Sequence, residues 1–117
     1  MANTCLRALL VIGAAVTLPV LSVSAASNLD VGQAANCAAA MKIKRDELPP
    51  GVRDALIYSK AADWFSRVGR DESPADYGKI EADYKKKLLS EKSNGRASFG
   101  KAVDGCRTYY ETSSGDT

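Results

Sequence analysis

The chain has 117 residues, a formal net charge of +2 from 16 basic and 14 acidic residues, and no histidine. The missing histidine removes the commonest general base and metal ligand. Near-neutral charge gives no electrostatic steering toward nucleic acid, and a chain this short builds one domain.

The first segment, MANTCLRALLVIGAAVTLPVLSVSAAS, carries one charge, at Arg7, and no other before Asp30. Between them runs an apolar stretch from Ala8 to about Val23, followed by small residues. A basic start, an apolar middle and a small-x-small end define a secretory signal, with cleavage expected after Ala25 or Ala26. Pro19, the serines and this cleavage-like end argue against a retained membrane anchor, so no stable membrane insertion is expected after cleavage. We therefore read residues 1–26 as a signal peptide and 27–117 as a single exported helical domain. Loss of Arg7 leaves 15 basic against 14 acidic residues in the exported part. The cluster Lys42-x-Lys44-Arg45 and the run Lys85-Lys86-Lys87 read as solvated helix faces rather than phosphate sites.

Turn signals at Glu47-Leu48-Pro49-Pro50-Gly51, at Gly69 through Pro74, and at Ser93-Asn94-Gly95 divide the exported part into four segments of helical periodicity. The first helix is expected over about 31–44, with Asn28 or Asp30 as N-cap. Ala34, Cys37, Ala38 and Met41 share one face at i, i+3, i+4, i+7, which turns the Cys37 thiol inward. The surrounding alanines leave room for a second backbone at disulfide distance.

The second helix, over about 52–69, has the widest apolar arc, from Ala55, Ile57 and Tyr58 through Ala61, Ala62, Trp64 and Phe65 to Val68. Arg53, Lys60, Asp63, Ser66 and Arg67 fall on its polar half. Such an arc predicts the central helix of a bundle. The third helix, over about 74–91, opens with Ser73 as N-cap, Pro74 in the first position and Asp76 at N3. Tyr77, Ile80, Tyr84 and Leu88 form its narrow seam. The fourth, over about 96–111, lines up Phe99, Ala102, Val103, Cys106 and Tyr110, and the tail from Thr112 to Thr117 is expected to be frayed.

The fold class that follows is all-α, a small four-helix bundle-like domain. Cys5 leaves with the signal, so Cys37 and Cys106 remain as an even pair in a domain bound for an oxidising compartment. They are expected to form one disulfide joining the first and last helices. Two distant cysteines without histidine suit neither a metal site nor a Cys-x-x-Cys redox centre.

No Gly-x-Ser-x-Gly elbow, phosphate-binding Gly-rich loop or EF-hand loop occurs. The carboxylate pairs Asp46-Glu47 and Asp71-Glu72 sit at expected helix ends, where acids are solvated or face a helix dipole. Catalysis is therefore not expected, and neither a cofactor nor a bound metal is implied.

The residues left over are aromatic and apolar. Ile57 and Trp64 lie at one margin of the second helix's arc, and Tyr109 flanks the stripe of the fourth; these three form the candidate partner or ligand surface. The expected function is that of an exported, periplasmic or secreted, non-enzymatic protein acting through a protein partner, such as a stress-protective or chaperone-like factor, an inhibitor or an immunity factor. In size and class it is similar to acid-stress periplasmic chaperones, a likeness that no motif carries. The alternative is a small-molecule binding module with its pocket between the second and fourth helices.

Overall fold

A computed structural model describes residues 29–114, and within them four α-helices and no strand. They are α1 (Val31–Asp46), α2 (Arg53–Glu72), α3 (Tyr77–Ser93) and α4 (Ala97–Ser113). The expected signal peptide and its cleavage site lie outside the described residues.

Of the two candidate caps for α1, Asp30 takes the position. Its Oδ1 accepts the Gln33 N–H at 2.7 Å, while Gln33 Oε1 accepts the Asp30 N–H at 3.0 Å. This reciprocal capping box satisfies two amide protons that the first turn would otherwise leave unpaired. The helix runs two residues beyond the expected end, and the chain then reverses through Pro49-Pro50-Gly51-Val52. The Val52 N–H closes on the Pro49 carbonyl at 3.4 Å, with Pro50 second and Gly51 third at φ +88°. A fixed proline φ followed by a left-handed glycine is the arrangement of a type II turn.

The second expected break is displaced. Gly69 does not end α2, which continues to Glu72. Its missing side chain serves packing: a Cβ placed there would lie 2.1 Å from Cε1 of Tyr77, so the tyrosine ring fills the space of a side chain. α3 also starts later than Ser73-Pro74 predicts. Its N-cap is Asp76, and no side chain caps it. Ser73 instead closes α2 through its N–H to the Gly69 carbonyl, then accepts the Tyr77 N–H at 3.0 Å, so one residue serves both helices.

The third break holds. After α3 the Gly95 N–H bonds the Lys92 carbonyl and the Arg96 N–H bonds the Glu91 carbonyl, with Gly95 at φ +71°. This pair of bonds is a Schellman motif, in which a left-handed glycine lets the backbone cap its own last carbonyls.

α1, not α2, is the central helix: its contacts with α2 and α3 are the most extensive in the bundle, and it packs against α4 as well. Ala34, Ala35, Ala38, Ala39, Ala40 and Met41 are fully buried, a distribution wider than one stripe. Alanine contributes little hydrophobic contrast, so a helix that buries alanine on several sides shows weak periodicity. The small side chains let neighbouring helices approach on all those sides. Ala61 and Ala62 of α2 are likewise fully buried, beside Phe65.

Cys37 and Cys106 form the expected disulfide, 69 positions apart in sequence with Cα atoms 5.4 Å apart. The bond joins α1 to α4. Cys106 is buried, whereas Cys37 is half-buried, so the clasp sits at the edge of the core rather than inside it. A disulfide fits a chain that meets an oxidising environment.

Candidate functional site

The α2 to α4 edge holds the three residues singled out in the sequence. Ile57 and Trp64 are seven residues apart, which on a helix is close to two full turns, so both project along the same side of α2. Each is half-buried. The disulfide holds α4 against α1, and the alanine contacts hold α2 there too; α4 therefore lies beside α2.

Trp64 and Tyr109 come together, with ring centroids 6.2 Å apart. Trp64 also meets Phe65 at 5.1 Å and Tyr110 at 5.9 Å, both edge-on, and Tyr109 meets Phe65 at 6.2 Å. Edge-on and tilted pairs at these distances are the favourable arrangements of aromatic rings. Ile57 is not part of this ring cluster. It lines a cleft of about 310 Å³ with Arg53, Lys60, Arg107, Tyr110 and Glu111. Trp64 lines the next cleft, about 330 Å³, with Lys60, Arg67, Tyr110 and Ser114.

Lys60 and Tyr110 border both clefts, so the two are one groove along α2 with α4 as its far wall. The helical phase of Tyr110 predicts a core residue. It is buried, yet it supplies the groove with its floor. A larger hollow of about 690 Å³ adjoins at the α1 to α2 turn, lined by Leu48, Pro50, Val52 and Leu56 among others. Leu56, 62% exposed, borders this hollow and the Ile57 cleft.

Arg107 shapes the wall of the groove. Its Nε donates to Glu111 Oε2 at 3.1 Å, its Nη1 to the Tyr58 hydroxyl at 3.4 Å, and the guanidinium lies 5.3 Å from the centre of the Tyr58 ring. The Tyr58 and Glu111 hydrogen bonds outweigh partial burial and hold the guanidinium more firmly charged than usual.

A second constellation lies on the opposite side, among α1, α2 and α3, and the sequence reading missed it. Glu81 accepts Lys42 Nζ on Oε2 at 2.6 Å and the Tyr77 hydroxyl on Oε1 at 2.6 Å. Ser66 Oγ donates to that same Oε1 at 3.2 Å. Burial pushes the Glu81 carboxyl up, but hydrogen bonds from Lys42, Tyr77 and Ser66 outweigh it, and the group titrates below its ordinary 4.5. Tyr77 moves the other way: burial, then the hydrogen bond to Glu81, hold the phenol protonated well above 10.0.

Chemically the network is a closed circuit. Tyr77 is 1% exposed and Ser66 3%, so neither hydroxyl meets a substrate. The carboxylate is already matched by a cation and two donors. Its effect is to tie three helices together. The i, i+4 spacing of Tyr77 and Glu81 is a signal in the sequence, although the expected seam of Tyr77, Ile80, Tyr84 and Leu88 omits Glu81 and the helical phase puts Ser66 on the polar half of α2. The basic cluster at the end of α1 is likewise engaged: Lys42 with Glu81, Lys44 with Glu47 and Arg45 with Asp46.

Among the described residues, no group of three or more Cys, Asp, Glu or His side chains is placed to hold a metal ion. No described helix is long and apolar enough to cross a membrane. The chain matches no protein-family model, no curated protein and no solved structure.

Proposed function

We propose that this is an exported, non-enzymatic protein that works in the periplasm or outside the cell by binding another protein, as a stress-protective or chaperone-like factor, an inhibitor or an immunity factor. The groove between α2 and α4 carries the reading: half-buried Ile57 and Trp64 line it, the exposed Leu56 borders its Ile57 end and half-buried Tyr109 packs behind Trp64, an apolar and aromatic strip of the kind that partners cover. The disulfide supports the compartment. The alternative, a small molecule held between α2 and α4, has less support. Each cleft is at the lower edge of ligand-pocket size, and the two run into one another along the helix, which suits a polypeptide better than an enclosed ligand.

The test uses the oxidised protein recovered from the periplasm as bait for cross-linking in periplasmic extract. A partner captured at near-equal amounts by the native protein, and lost with Leu56→Asp or Ile57→Asp, is the expected result. A stoichiometric small molecule in the purified protein, with no partner captured, overturns it. The mass of the recovered protein reports export directly, with a new N-terminus at Ala26 or Ser27 expected.

A further inference from the structure

Along α2, Arg53, Lys60 and Arg67 recur at seven-residue intervals, and so do Ile57 and Trp64 between them. Seven residues fall about 20° short of two helical turns, so each set forms a row nearly parallel to the helix axis. The apolar row faces α4 and lines the groove; the three cations are exposed and form its outer lip, over a length of about 21 Å. Arg53 and Arg67 make no ion pair among the described residues, and α4 contributes Glu111, whose charge is already engaged by Arg107. With a net charge of only +2 on the whole chain, a row of three cations is a local concentration; the exposed Asp63 lies beside it on the outer side of α2 and does not line the groove.

We infer that this groove docks an acidic amphipathic helix of a protein partner, with Asp or Glu at seven-residue spacing against Arg53, Lys60 and Arg67, and aliphatic side chains on the adjoining row against Ile57 and Trp64. The inference rests on the reading of the chain as an interaction protein and names the chemistry of its partner. A helix laid in a groove presents its own heptad rows to those of the host, so apolar packing sets affinity and flanking charges set register. Charge decides among the occupants. A second copy docking through this face would set cations against cations, which destabilises the pair. A bilayer of anionic lipid fits the charge but not the shape. It needs a projecting apolar face, whereas Trp64 is half-buried and packed edge-on against Phe65 and Tyr110.

Trp64 is the sole tryptophan of the chain, so its fluorescence reports on the groove. The probe is a synthetic peptide of about three heptads with Glu at every seventh position and Leu four residues on, beside a twin with Lys in place of Glu. The full-length oxidised protein is expected to bind the acidic peptide saturably with a shift in Trp64 emission, more weakly as salt is raised, and to ignore the Lys twin. Charge reversal at all three positions, Arg53→Glu, Lys60→Glu and Arg67→Glu, weakens the acidic peptide by about tenfold or more and creates binding to the twin. If the triple variant does not keep its thermal transition, Arg67→Glu alone, at an exposed site, gives the same comparison with a smaller loss. Equal binding of both peptides, or undiminished binding after reversal, overturns the inference. So does Trp64 responding only to vesicles containing phosphatidylglycerol, or a dimer in sedimentation that the reversal dissolves. If the captured partner is lost with Leu56→Asp but retained by the charge-reversed protein, the interaction reading stands and the acidic-helix inference falls.

Discussion

Gly69 shows how one absent atom sets a helix contact. The ring of Tyr77 occupies the space its Cβ would need, with ring carbons at 2.1 and 2.5 Å from that position. The ring cannot withdraw without dragging its hydroxyl off Glu81, and Arg70 covers its face at 5.4 Å. Gly69→Ala would gain about 1 kcal/mol of helix propensity in an open site. Here overpacking dominates, and we predict a net loss of about 1–3 kcal/mol, measured as a lower urea midpoint with unchanged slope. Glu81 makes the matching electrostatic prediction. Its carboxyl is lowered in the folded state, so the stability it contributes is full above the unfolded value of 4.5 and is lost as pH falls below it through the folded value. Thermal melts between pH 7 and pH 2 should fall below pH 4.5 in the native protein, and less steeply in Glu81→Gln. That variant should already be weaker at pH 7 by about 1–3 kcal/mol, because Lys42 loses its partner. Equal acid slopes in the two proteins would remove Glu81 from the account. None of this network was legible in the sequence as a network: Tyr77 and Glu81 are four residues apart on one helix, but only the packing of three helices brings Lys42 and Ser66 to them.

Among the elements, the starts and stops divide by whether each belongs to one helix or is shared by two. The Asp30 and Gln33 capping box, the Pro-Pro-Gly turn and the Schellman end at Gly95 each close within a few residues, and the sequence marks all three places. The end of α2 and the start of α3 are shared, both closing on Ser73. Ser73-Pro74 resembles a helix start, yet Ser73 is bound to Gly69 and Tyr77 by backbone contacts that join two helices. Asp30→Ala should cost about 1 kcal/mol, since it unpairs the Gln33 amide and frees the Gln33 side chain. Amide exchange checks it: protection should fall in the first turn of α1 and stay level in α4. The roles expected of α1 and α2 are also exchanged. α2 has the wide apolar arc, but α1 is the helix with neighbours on all sides, because alanine permits close approach without advertising a face.

For the molecule as a whole, the disulfide is the longest-range constraint. It links residues 69 positions apart and holds α4 to α1. Removing such a loop constraint destabilises by roughly 4 kcal/mol in the chain-entropy model, a large share of a small domain's stability. Dithiothreitol, or Cys106→Ser, should therefore lower the melting temperature by more than about 10 °C, and an unchanged melt would show that helix packing alone sustains the bundle. The α2 to α4 groove should loosen with it, seen as a change in Trp64 emission on reduction, since α4 is its far wall. By itself the sequence determined the four helices, two of their three turns and the Cys37–Cys106 pairing, because period and caps act over short range and both cysteines fall inward on the first and last helices. Tertiary structure alone decided which helix is central, that Gly69 makes room for a ring, that Glu81 joins three helices, and that Ile57 and Trp64 line one groove with Tyr110. Those outcomes depend on which surfaces meet, and burial at a contact between distant residues leaves no mark in either one's own neighbourhood.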